Sequence, residues 1–286
     1  MNDYGIHTKA MLAELSISQW TARKLDRKIS DEIAEKHGVA SDTGRYTKAL
    51  LDTLALAGLQ KLGNLARTEH YKRTLPWGDN GARLLPVVGY EDYRRRLHNL
   101  KGEFERDVER LLSVYPTLRE QARARLNGLY CSEDYPDVPT LRGKFGFRVR
   151  LGPVPHTRDF RVELAESDVA GIRADMAEET DKRLSGAVAD LGARLRDAVA
   201  YAAARLSDDK AKIYGSLVDN LREIAEAVPA LNITGNAEIA QMAADTLAAF
   251  DGIGADAIRG NPAIREKQAA ASAELLSRMD SYGFGA

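Results

Sequence analysis

Between Asp168 and Leu206 apolar residues recur every three or four positions: Val169, Ile172, Met176, Leu184, Val188, Leu191, Leu195, Val199 and Leu206. With Thr180 and Ala202 filling the gaps, the mean spacing is about 3.7 residues. That predicts a straight helix rather than the left-handed supercoil a spacing of 3.5 produces. At 1.5 Å per residue it would run roughly 60 Å. A second stripe, Tyr93, Leu97, Leu100, Phe104, Val108 and Leu111, predicts a helix from about Gly89 to Tyr115. Pro116 lacks an amide donor and clashes with the preceding turn, so it is expected to kink or restart that helix before a last piece reaching Tyr130.

Shorter helical patterns flank these two. Ser30 followed by Asp31 and Glu32 reads as a cap with first-turn acids, opening a helix that ends near Gly38. The stretch from Gly44 to Thr74 reads as helical, weakened at Gly58 and Gly63. Ser207 is a cap for Asp208–Ala227. Further helices are expected over Asn236–Phe250 and from Asn261-Pro262 to Tyr282, the latter opened by an asparagine cap and a proline at the first helical position. The segments LPWGDNGARLLP and DGIGAD read as connections.

Period-two alternation occurs in few places. In KFGFRVRL, Phe145, Phe147, Val149 and Leu151 share one face while Lys144, Arg148 and Arg150 share the other. Across GPVPHT, the run DFRVEL offers a matching apolar face in Phe160, Val162 and Leu164, predicting a β-hairpin. Leu15 and Ile17 suggest a third, N-terminal strand. Two strands alone are marginal, so a helix must cover them. The fold class is therefore mainly α with a small antiparallel β element. The irregular stretch CSEDYPDVP marks a boundary between an N-terminal part, 1–130, net basic, and a C-terminal part, 131–286, net acidic; the two could form one elongated domain.

Composition supports a soluble globular chain: 286 residues, 44% hydrophobic and 29% charged. Charge is uneven. Residues 1–150 carry 26 Lys and Arg against 20 Asp and Glu, while 151–286 carry 15 against 22. A basic half suits nucleic acid or an acidic partner, although alternating acids also fit ordinary helix faces. No apolar run approaches a membrane span, and the first fifteen residues lack the pattern of a signal peptide. A single cysteine, Cys131, favours a reducing compartment. Together these predict a cytoplasmic protein that does not enter the membrane.

Catalytic chemistry leaves little trace. His7, His37, His70, His98 and His156 are scattered, with no pair at ligand spacing on one helix and no second cysteine, so no metal or other cofactor is expected. No phosphate-cradling GxxxxGK[ST] loop is present. Acidic neighbours of Cys131 oppose thiolate formation. The stretch RGKFGFRVR is superficially like an RNA-recognition strand, but its phenylalanines share a face with Val149 and Leu151, as core residues do. What survives is a basic face of Arg142, Lys144, Arg148, Arg150 and Arg161, suited to phosphates or an acidic partner.

The pieces ELSISQWTARKLD, GRYTKALLDTL and FGFRVRL/DFRVEL, in that order and feeding a long helix, resemble a family of phage and bacterial proteins grouped as a domain of unknown function. Its members are often encoded near MoxR-type AAA+ ATPases and von Willebrand factor A domain proteins. The resemblance spans about residues 10–250 and brings no active-site residues with it. It implies a phage-encoded cytoplasmic accessory of a remodelling ATPase. The leading expectation is thus a non-enzymatic helical interaction protein that binds such an ATPase, a von Willebrand factor A domain protein, or a second copy of itself. Nucleic-acid binding through the basic hairpin face is the alternative, and an enzyme with a dispersed site is a third.

Overall fold

The long 3.7-residue pattern is realised as one helix in the computed structural model, which describes residues 5–156 and 166–283. In chain order the elements are α1 (Ile6–Lys9), β1 (Ala10–Ser18), β2 (Arg23–Leu25), α2 (Arg27–His37), β3 (Thr47–Ala49), α3 (Ala57–Lys72), β4 (Leu75–Pro76), β5 (Arg83–Pro86) and α4 (Tyr90–Leu126). Then come α5 (Val138–Arg142), β6 (Gly146–Pro153), α6 (Glu166–Ser207), α7 (Gly215–Leu231), α8 (Ala237–Ala249), α9 (Ala255–Gly260) and α10 (Pro262–Ser281). The fold is mainly helical, with a four-stranded antiparallel sheet ordered β4-β5-β1-β6 and a separate β2-β3 pair. Among the described residues, no helix is long and apolar enough to cross a membrane.

The chain forms two compact units that interleave in sequence. The first takes Met1–Glu14, His70–Arg94 and Arg150–Ala286; the second takes Leu15–Glu69 and Arg95–Val149. The stretch at 131–139 lies inside the second unit. By unit, the charge asymmetry persists: the first holds 21 Lys and Arg against 27 Asp and Glu, and the second 20 against 15, giving −6 and +5.

In the first unit, Leu191, Leu195 and Val199 of α6 pack with Leu221 and Val228 of α7, Ile239 and Met242 of α8, and Leu275 and Met279 of α10. Each fully buried leucine of this kind contributes about 2–3 kcal/mol. Leu75, Trp77 and Leu84 join the same core from β4, the turn after it, and β5. Those strands occupy the predicted loop LPWGDNGARLLP. They are too short to show alternation, and β5 is fixed by pairing with β1 (Ala10 to Pro86, Ala13 to Arg83). α10 starts as expected, with Asn261 Oδ1 accepting from the amides of Ala263 and Ile264 at 3.0 and 3.4 Å. Ser207 does not open a helix. α6 includes it as its last residue, and the Arg265 side chain donates to the end carbonyls of Arg205 and Leu206 at 3.2 and 3.0 Å, capping α6 there.

In the second unit, Leu97, Phe104, Val108 and Leu111 of α4 are buried, and Phe104 meets Phe147 of β6 with ring centroids 5.8 Å apart. Pro116 neither ends nor restarts α4. Buried Leu112, Tyr115 and Ala122 hold the helix on both sides of the missing amide. The cap of α2 is Asp26, which accepts from the Ile29 amide at 3.3 Å. Ser30 lies inside that helix and accepts instead from the Tyr46 amide at 2.9 Å. Thr47–Ala49, expected to be helical, pairs antiparallel with Arg23–Leu25.

Of the predicted hairpin, β6 is present, with Phe147 buried but Leu151 45% exposed, so the expected apolar face stops short of it. The second arm, with Phe160, Val162 and Leu164, lies outside the described residues.

Candidate functional site: a groove of tyrosines and arginines

On α4, Tyr115, Arg119 and Arg123 follow one another at four-residue steps, which stacks them along one strip of the helix. Past Leu126 the chain turns at Asn127, whose φ of 46° is left-handed, a conformation asparagine tolerates better than most residues. The following segment comes back alongside the same strip. Tyr130, Cys131, Ser132, Pro136 and Val138 make the opposite wall of an open groove of about 880 Å³, to which Pro116, Glu120 and Asp137 also contribute.

That wall is firmly held. Tyr115 Oη donates to the Pro136 carbonyl at 3.0 Å, and Tyr135 Oη donates to that of Leu50 at 2.8 Å. Tyr130 stacks on Tyr135 with centroids 5.0 Å apart. Asp137 caps α5 by accepting from the Thr140 amide at 2.9 Å, and the bonds from Thr140 hold its carboxyl below the usual range.

Next to Tyr135, a buried cluster of charges ties the wall to the β2-β3 pair. Lys48 Nζ lies 2.8 Å from Asp134 Oδ2 and 3.1 Å from Asp26 Oδ2, and donates to the Leu129 carbonyl at 3.0 Å. Lys24 Nζ reaches Asp134 Oδ1 at 2.5 Å. The side chains of Lys48 and Asp134 are 7% and 3% exposed. Burial alone would push the Asp134 carboxyl up, but the bonds from Lys24 and Lys48 outweigh it and hold it below the ordinary value. Burial likewise opposes the Lys48 ammonium, and Asp134 and Asp26 more than restore it. The four formal charges cancel, and although the Lys24 side chain is 52% exposed, the buried Lys48–Asp134 pair serves to build the wall.

The guanidinium groups of the groove are different. Arg119 Nε donates to Tyr130 Oη at 3.2 Å, and its guanidinium carbon lies 5.9 Å from the Tyr135 ring centroid. The Tyr130 bond comes first among the causes that raise its pKa further above an already high value. Its two terminal nitrogens make no hydrogen bond among the described residues. Arg123 is exposed and makes no hydrogen bond or ion pair among them. A guanidinium with a free fork is suited to a carboxylate or phosphate, held bidentately.

The residues singled out by sequence lie elsewhere. Arg142, in α5, gives both terminal nitrogens to the Glu109 carboxylate. Lys144, Arg148 and Arg150 are exposed and make no ion pair among the described residues. Arg161 lies outside those residues. None of the described four lines the groove. Sequence reading passed over Arg119 and Arg123 because only the returning segment gives their strip a second wall. The usable signal was the strip itself, facing a segment rich in tyrosine and proline.

Two further polar contacts belong to the first unit. His70 Nδ1 and Tyr93 Oη share a buried hydrogen bond of 2.9 Å. The rings of His7 and His156, far apart in sequence, meet at 4.3 Å. Among the described residues, no group of three or more His, Cys, Asp or Glu could hold a metal ion. Compared with protein-family models, curated proteins and solved structures, the chain has no significant match.

Proposed function

We propose that this chain is a non-enzymatic interaction protein that engages a protein partner through the groove of its second unit. One observation carries the reading: the buried Lys48 and Asp134 neutralise one another, whereas the groove presents Arg119 and Arg123 with forks that no group among the described residues occupies, beside Tyr130 and Val138. Tyrosine and arginine are the side chains that most often anchor protein interfaces, because each combines a large rigid contact area with polar ends. The resemblance to phage and bacterial proteins encoded near MoxR-type AAA+ ATPases and von Willebrand factor A domain proteins names the classes of partner to try first. We place the protein in the cytoplasm on the strength of its single cysteine.

The experiment mixes the full chain with purified products of the genes flanking its own and measures association by calorimetry. We expect one of them to bind, and Arg123→Glu, a reversal at an exposed position, to weaken it at least tenfold. Absence of binding to any of them, or binding indifferent to Arg123→Glu, overturns the proposal.

A second reading, nucleic-acid binding, draws on Lys144, Arg148 and Arg150, which are exposed and make no ion pair among the described residues. It requires retention of DNA or RNA that falls with salt and with charge reversal at Arg148 and Arg150.

A further inference from the structure

Resting on the reading of the groove as a partner site, we infer that its ligand is an acidic peptide segment, with one carboxylate held by Arg119 and a second near Arg123. Arg119 is prepared for this before any ligand arrives. Tyr130 accepts from its Nε, the guanidinium carbon lies 5.9 Å from the Tyr135 ring centroid, and the terminal nitrogens make no hydrogen bond among the described residues. A planar cation held in this way loses little side-chain freedom on binding a planar anion, so more of the interaction free energy is realised. Arg123 lies one helical turn on, about 6 Å away at Cβ. Two carboxylates at a similar separation, from nearby residues of one segment, match the two cations.

Charge over the wider unit points the same way. The second unit carries a formal +5, which favours an anionic partner at long range. Glu120 and Asp137 line the groove too and oppose an anion at their own positions, which confines the favourable region to the Arg119–Arg123 side. Pro116 and Val138 add apolar surface beside it, and Val138 is 37% exposed. Inorganic phosphate shares the charge but has no apolar part to set against such a wall, whereas an aromatic or aliphatic residue next to the acids in a peptide does.

The test measures fluorescence anisotropy of a labelled peptide carrying two glutamates and a neighbouring phenylalanine against the full chain. Its glutamine counterpart and a single-stranded oligonucleotide serve as comparisons. The glutamate peptide should bind with an affinity that falls as salt rises, and the glutamine peptide at least tenfold more weakly. Arg123→Gln and Arg119→Gln should each weaken binding about tenfold. Tyr130→Phe, which removes only the hydroxyl that positions Arg119, should cost about threefold while leaving the melting temperature unchanged. Arg110→Gln, at an exposed arginine paired with Asp107, should change nothing. Equal binding of the glutamine peptide, tighter binding of the oligonucleotide, or indifference to both groove arginines overturns the inference. If a flanking-gene product binds through Arg123 while the glutamate peptide does not bind, the partner reading stands and this inference falls. Peptide binding without any such product gives the reverse result.

Discussion

His70 shows how a single buried side chain sets a pH dependence for the molecule. It is 4% exposed, and burial, assisted by the charge of Arg83, pushes its imidazole down to about 4 from an ordinary value near 6.5. As pH falls through 6.5 the unfolded chain takes up a proton that the folded chain refuses until about 4. Stability present at neutral pH is therefore lost progressively across that window. The gap corresponds to about 3 kcal/mol at 1.36 kcal/mol per pH unit. We expect urea unfolding of the wild type to weaken by that order between pH 7 and pH 4. In His70→Gln, whose stability at pH 7 is lower, the slope over this window should be largely gone. An unchanged slope would show that other groups set the acid response. Asp134 acts in a lower range. Its depressed carboxyl contributes stability above the unfolded value near 3.9, which is lost as pH falls further.

At the level of elements, α4 is a continuous helix with a proline in it. Pro116 removes one intrahelical hydrogen bond and crowds the preceding turn, a disadvantage of up to about 3 kcal/mol against alanine in a helix interior. Pro116→Ala should therefore raise stability by about 1–3 kcal/mol in chemical denaturation, and a loss of stability would mean that the proline packs usefully in the groove. The helices with strong apolar periods, α4 and α6, were readable because their burial repeats with the helix itself. β3 was not. Thr47–Ala49 sits among good helix formers, and what makes it a strand is its pairing with Arg23–Leu25 and the capture of Lys48 by Asp134, more than eighty residues away. Ser30 and Ser207 misled for a related reason. A serine before acids is a cap only if nothing better competes, and Asp26 and Arg265 decided those two helix ends. The groove needed the same non-local knowledge, since its two walls become neighbours only after the chain reverses at Asn127.

At the level of the whole molecule, the second unit depends on residues beyond Tyr130. Asp134, Tyr135, Leu141 and Phe147 are all buried within it. A fragment ending at Tyr130 would leave Lys48 buried without its main counter-ion and Phe104 without its aromatic neighbour. Breaking a buried ion pair from one side costs about 3–5 kcal/mol, a large part of what a domain has. We expect residues 1–130 to show no cooperative thermal transition by circular dichroism, whereas the full chain should. A sharp melt for the fragment would mean that the first 130 residues form their own core.

The order of the two units along the chain also has a consequence for synthesis on the ribosome. Leu15–Glu69 and Arg95–Val149 have all emerged well before the C-terminal helices exist, so the inserted unit can close first. Ile6 and Ala10 belong to a core completed by Leu275 and Met279, which are made much later. At translation speeds of 5–20 residues per second, those early residues wait roughly ten seconds or more for their partners. During that interval Ile6 and Ala10 lack the helical half of their core, and that is the period in which a chaperone has most to offer this protein.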